Sequence, residues 1–237
     1  MRNIFLIARR ELLSCFVSPI AYIIVSSFLF CAVYFFIGTT FTERSTDLSG
    51  VFANLAILVF MICPFMSMRL FSEEKKNGTI ELLFTSPIDI MQIVIGKYFA
   101  ALAIFCIMLA ITLLYPLFLQ IMSGVYWPKV LLHYLGIFLV GSAVLGIGLV
   151  CSALTENQIV AGILGVAISL SLLLISWISN QTTGVLRAVI DEITIMAHYQ
   201  SFLKGIFDVR DIVYFMAWIL FSLFLSAKIL ESGKWRN

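Results

Sequence analysis

The chain has 237 residues, of which 62% are hydrophobic and 12% charged, with a mean hydropathy of +1.07 and a formal net charge of +2. Soluble domains carry about 25% charged residues, so the composition excludes a soluble protein and describes an all-α, polytopic membrane protein with six spans in one domain, 1–237. It has no basic stripe with interleaved aromatics, which excludes nucleic acid as a partner and leaves the lipid bilayer as the first surroundings to consider.

In chain order, residues 3–17 predict an amphipathic helix at the membrane surface. Phe5, Ala8, Leu12, Cys15 and Phe16 share an apolar face, Asn3, Arg10, Glu11 and Ser14 gather opposite, and Arg9 is left to snorkel. A charged flank of the first span is the plainer alternative. Pro19 opens span one, 20–37, and a polar loop, 38–50, holds Glu43, Arg44 and Asp47. Span two, 51–68, carries Pro64 as a kink near its inner end. After a charged stretch, 69–89, span three covers 90–119, bent or ended by Pro116. Span four, 130–154, is rich in small residues, with Ser142 and Gly146 at the four-residue spacing that lets helices approach in lipid. A tight turn follows, in which Thr155 or Asn157 caps span five, 159–178. Residues 179–211 are too polar to cross and too apolar for an ordinary loop. Val185, Leu186, Val189 and Ile190 form one short amphipathic piece, and Phe202, Leu203, Ile206 and Phe207 a second. Both are expected to lie at the outer interface or to dip in and return. Span six covers 212–229, before a tail with Lys234 and Arg236.

The charged stretch is the densest cluster of charge in the chain. Glu73 to Lys76 are followed by Asn77-Gly78, a helix stop. Thr79 caps a new turn, Ile80-Glu81-Leu82-Leu83, and Pro87 ends it. The prediction is a short surface helix with a charged edge and an apolar face of Leu82, Leu83 and Phe84, suited to docking a soluble partner. With the N-terminus inside, ten of the fifteen Lys and Arg residues fall inside and five outside, which places both termini and this stretch in the cytosol.

Several chemistries are missing. No charge lies in the middle of a span, which speaks against an ion-coupled carrier or an ion channel. Gly96-Lys97 continues with Tyr98 and lacks the earlier glycine of a phosphate-binding loop, so the chain does not hydrolyse ATP alone. It has no zinc motif and no serine elbow, and no metal or cofactor is expected on it. Cys15, Cys31, Cys63, Cys106 and Cys151 have neither metal-ligand nor redox spacing and read as small hydrophobes. His133 reads as an interfacial polar residue and His198 as a structural cap. The first apolar run is too long for a signal peptide and is expected to stay as a span.

The run Phe71-Ser72-Glu73-Glu74-Lys75-Lys76-x-Gly78-Thr79-x-Glu81-Leu82-Leu83-x-Thr85-x-Pro87, with Gly96-Lys97 after it, resembles the cytosolic loop between the second and third spans of ABC-2-type transporter permeases, nearest the gliding-motility and nitrous-oxide-reductase-maturation subgroup. Ser152 to Ala161 and the pattern His198-Tyr199-x-x-Phe202-x-x-Gly205-x-x-Asp208-x-Arg210-Asp211 agree. The resemblance implies an elbow helix at 3–17 and a coupling helix in the loop, docked in a groove of a separate ATPase that holds ATP and Mg. Glu73, Glu74, Lys75, Gly78, Thr79, Glu81, Leu82 and Leu83 would form that contact, with Glu156 either a second contact or a plain helix cap. It also implies a second permease chain, the same or different, in the cytoplasmic membrane of a bacterium, working as an exporter. Two alternatives stand beside it. No solute crosses and the motion passes to an external accessory protein at 179–211, or the chain is an energy-independent channel or scaffold.

Overall fold

The computed structural model describes residues 2–43, 47–79, 88–122, 124–179, 181 and 183–234. Among them are eleven helices and no strand. The surface helix α1 (Arg2–Val17) leads into span one, α2 (Pro19–Glu43). Span two is α3 (Ser49–Ser67) continued by α4 (Arg69–Lys76), and span three is α5 (Ile90–Thr112) continued by α6 (Leu114–Met122). Spans four, five and six are α7 (Trp127–Leu154), α8 (Gln158–Ser179) and α11 (Val209–Lys234). Two short helices, α9 (Val185–Ile193) and α10 (Ile195–Leu203), connect the last two spans.

The helices overrun the predicted spans where nothing stops them. α2 continues past Ile37 because Gly38-Thr39-Thr40 contains no breaker, and Thr39 Oγ1 bonds back to Phe35 O at 2.8 Å. α7 starts at Trp127 because Pro128 sits in the first turn, where its missing N–H costs nothing. Span three breaks at Leu113, one turn before Pro116. The proline ring removes the donor that Thr112 O would have accepted from, and Leu113 N turns to Ala110 O at 3.2 Å. α8 is capped by Asn157, whose Oδ1 accepts from Ile159 N at 2.9 Å.

The core gathers around α7, which packs against α3, α5, α8, α10 and α11. Most of its residues are buried, whereas α2 and α8 turn Phe30, Tyr34, Ile163 and Trp177 outward, as lipid-facing helices do. Gly141 lets the Phe105 ring lie against the α7 backbone, and a Cβ there would overlap the ring. This is small-residue packing in the absence of a hydrophobic drive between helices.

At the far end from α4, α10 dips into the bundle and buries Ile195, His198, Tyr199 and Phe202. It starts N-terminal to the second predicted amphipathic piece and ends within it, at Leu203. Ile206 and Phe207 are instead exposed in a loop turned by Gly205 (φ +77). Tyr199 Oη donates to Phe52 O at 3.0 Å, which satisfies the buried hydroxyl. His198 Nδ1 meets Asp211 Oδ1 at 2.7 Å, its Nε2 faces Glu192 O at 3.2 Å, and its ring stacks on Tyr214 at 3.9 Å. His198 is thus the hub of a buried contact between three helices. His133 is fully buried rather than interfacial, and its Nε2 bonds Leu203 O at 3.0 Å.

Candidate functional site

The end of the bundle that carries α4 also collects α1, the start of α5 and the end of α7, all joined by polar contacts. α4 is strongly two-sided. Leu70, Phe71 and Ser72 are buried, Glu73 to Lys75 are half-buried, and Lys76, Asn77, Gly78 and Thr79 are exposed. The predicted stop at Asn77-Gly78 has the geometry its residues call for. Gly78 takes φ +67, Thr79 N donates to Glu74 O at 3.0 Å, and Gly78 N to Lys75 O at 3.2 Å. That pair closes the helix C-terminus, and only glycine reaches the conformation without strain.

Four of the five charged residues of α4 are held by a neighbour, and Lys76 is left exposed. Arg69 holds Glu73 Oε2 through Nε at 3.1 Å and Nη2 at 3.0 Å, and it also reaches Ser18 Oγ at the α1–α2 corner. Lys75 Nζ donates to Ala153 O at 2.6 Å, satisfying a carbonyl at the C-terminus of α7 that has no partner within the helix. Glu74 Oε1 accepts from Lys97 Nζ at 2.9 Å, and Glu11 Oε1 accepts from the same nitrogen at 2.9 Å.

Lys97, one of the ten cations counted on the inner side, is buried in the structure. It lies two turns into α5 and is 1% exposed, with its ammonium 5.3 Å from the Phe71 ring centroid. Burial of a lysine requires opposite charge close by, and α1 and α4 each supply one carboxylate. Gly96 beside it explains how α1 comes so near: a Cβ there would lie 2.9 Å from Ile7 and 3.1 Å from Ile4 O. Glu11, Glu74 and Lys97 therefore form one ionic triad across three helices. It leaves Glu74 Oε2 buried without a hydrogen-bond partner among the described residues. Beside the triad is a cavity of about 480 Å³, lined by Arg10, Glu11, Glu73, Glu74, Asn77 and Lys97 among others.

Of the residues singled out from sequence, Glu73, Glu74 and Lys75 thus lie on α4, and Gly78 and Thr79 in the turn that closes it. Glu156 is exposed in the α7–α8 turn, on the same side, where its charge acts on Lys75. Glu81, Leu82 and Leu83 lie outside the described residues. The sequence reading missed Arg69, Glu11, Lys97 and Ser152 as members of the site. Ser152 Oγ accepts from Phe71 N and Ser72 N at 3.0 and 3.1 Å and donates to Met68 O at 2.8 Å. One visible signal was available for the triad: Lys97 is the lone charge between Asp89 and Lys129, inside an apolar run.

Among the described residues, no group of His, Cys, Asp and Glu is arranged to hold a metal ion. Compared with known proteins, residues 2–179 match the family model described as ABC-2 type transporter. No curated protein matches the chain at a significant level.

Proposed function

The chain belongs to the ABC-2 type transporter family and is a permease subunit of an ABC transporter, a multi-pass membrane protein, and we propose that it is driven by a separate ATPase docking on α4 and the residues that follow it. The observation that carries this reading is the make-up of α4. Its C-terminal edge, Lys76 to Thr79, is exposed to a partner, while its other side is bonded to Ser18 at the α1–α2 corner, to α5 and to α7. An element that is exposed on one edge and tied to the bundle on the other passes a push into it.

In this reading Gly78 shapes the contact and Thr79 leads into it. Glu81, Leu82 and Leu83 continue it, and Glu156 adds a smaller contact from the α7–α8 turn. Glu73, Glu74 and Lys75 hold α4 against the permease. ATP and Mg belong to the ATPase. Two permease chains and two ATPases make the working unit, which acts as an exporter in a bacterial cytoplasmic membrane. Both chain termini are cytosolic, in keeping with the excess of Lys and Arg on that side.

The test is gentle purification of the chain with mass spectrometry of what accompanies it, for the parent and for Lys76→Glu and Thr79→Trp. These two changes alter only the exposed edge. Co-purification of an ATPase that both variants lose supports the docking site. An ATPase retained by both moves the docking site elsewhere, and a folded chain with no ATPase removes the reading. A second reading, motion passed to an external protein, is favoured by a charged cavity of about 290 Å³ at the α10 end, lined by Arg187, Asp191, Glu192 and Arg210 among others.

A further inference from the structure

α3 and α4 would be one continuous helix but for the break at Met68. In an uninterrupted helix the amides of Phe71 and Ser72 donate four residues back, to the carbonyls of Ser67 and Met68. Here both amides donate to the side chain of Ser152, from α7, at 3.0 and 3.1 Å. The same hydroxyl donates to Met68 O at 2.8 Å. A hydroxyl has one hydrogen and two lone pairs, so these three contacts saturate Ser152 Oγ. Ser152 is fully buried, and its partners are backbone groups at the break, where Met68 O also accepts from Ser72 Oγ. A side chain inserted into a helical ladder is one of the few identifiable causes of a helix break.

The approach that places Ser152 there is built one turn earlier. Gly148 lies on the same face of α7, four residues before Ser152. A Cβ on it would overlap Ser67 Oγ and come within 3.1 Å of Pro64 Cα. α7 therefore touches α3 backbone to backbone just before the break, and its next turn enters the ladder. One residue further on, Ala153 O accepts from Lys75 Nζ at 2.6 Å and ties the other end of α4 to the same helix terminus.

We propose that Ser152 is a positioning residue, the pin that makes α4 move with α7 rather than with α3, the span to which it is covalently joined. The inference rests on the reading that α4 receives the push of an ATPase. It adds the route by which the push enters the membrane. That route is α7, the helix at the centre of the bundle, with contacts to α3, α5, α8, α10 and α11. Without the hydroxyl, the Phe71 amide is free to return to the Ser67 carbonyl. α3 and α4 then fuse into one straight helix with a single remaining tie to α7, at Lys75.

The test is hydrogen–deuterium exchange of the parent, Ser152→Ala and Ser152→Thr in lipid nanodiscs. The chain is measured first alone, then in complex with its ATPase, with and without ATP and Mg²⁺. Alone, alanine is expected to change exchange at 68–72 and to leave the rest of the chain unaltered, and threonine, which keeps the hydroxyl, restores it. In the parent complex, ATP is expected to change exchange in 69–76 and in 149–154 together. In the alanine variant the response at 69–76 persists, the response at 149–154 is sharply reduced, and threonine recovers it. An altered structure alone does not produce that split. A parent-like response at 149–154 in the alanine variant overturns the proposal, as does unchanged exchange at 68–72. Recovery of folded chain with no ATPase overturns the functional reading and the transmission with it, while the chain-alone comparison still judges the pin separately. Should Ser152→Ala not fold, Lys75→Met removes only the second tie and is expected to weaken the response at 149–154, and no weakening overturns the proposal.

Discussion

Replacing Lys97 by methionine is the sharpest test of how the α4 end is held together. Methionine keeps the length and apolar stem of the side chain and removes only the ammonium, leaving Glu11 and Glu74 facing each other. The lysine side chain is 2% exposed and each carboxylate side chain 18%, so water replaces little of the lost interaction. Breaking a buried ion pair by removing one partner costs about 3–5 kcal/mol, and the partial exposure of the carboxylates places this case near ~3 kcal/mol. Removing one carboxylate is milder because Lys97 keeps the other. Glu11→Gln or Glu74→Gln forfeits one charged hydrogen bond, about 1.5–3 kcal/mol. The neutral triple variant, Glu11→Gln with Glu74→Gln and Lys97→Met, strands no charge and is expected within about 1 kcal/mol of the parent. The assay is unfolding in nanodiscs followed by tryptophan fluorescence, each variant beside the parent. The expected order has Lys97→Met least stable, the single glutamines between, and the triple variant restored. A Lys97→Met protein as stable as the parent, or a triple variant no better than Lys97→Met, refutes the view that the triad is a mutually dependent buried charge cluster.

Gly78→Ala meets open space, so its effect is conformational alone. At φ +67 a Cβ costs about 1–2 kcal/mol, Asn is expected to be tolerated better, and the readout is faster amide exchange at Thr79, whose N–H is held by Glu74 O at 3.0 Å. Gly136→Val sets a side chain where Cβ alone would lie 2.6 Å from Phe202 Cβ. Overpacking of this kind costs about 1–3 kcal/mol and is expected to push α10 off α7, seen as faster proteolysis between α9 and α11. Burial alone would raise the Asp47 carboxyl, but hydrogen bonds from Lys129 and Ser49 outweigh it and hold the carboxyl below its ordinary value. Its contribution is therefore present above the usual carboxylate pKa and lost as pH falls through the lowered one. Because the Asp47 side chain is 44% exposed, its worth is under about 1 kcal/mol. Parent and Asp47→Asn melting curves measured against pH should converge in that acid window, and a gap that persists there contradicts the assignment.

The spans were legible because six long apolar runs have few other uses, and the Asn77-Gly78 stop and the Asn157 cap were legible because their chemistry is local. The same locality explains what was missed. The triad joins Glu11, Glu74 and Lys97, so no window or period contains it, and Lys97 by itself reads as a flanking cation. Ser152 reads as one more small residue on a helix rich in them, and its meaning appears only when Phe71 and Ser72 are beside it. α10 has nine residues, too few to stand out in hydropathy, and its depth depends on Gly136 of another helix. Ends of spans shifted wherever a polar but helix-compatible stretch, such as Gly38 to Glu43, followed an apolar one.

The docking claim is tested most directly by a photo-crosslinking amino acid placed at Thr79, on the exposed edge after α4, and at Ile206, exposed at the opposite end. Each protein is irradiated in its native membrane, and the captured polypeptides are sequenced. The account predicts that Thr79 captures an ATPase bearing a phosphate-binding loop and that Ile206 does not. Capture of that ATPase from Ile206, or its absence from a well-folded Thr79 variant, contradicts it.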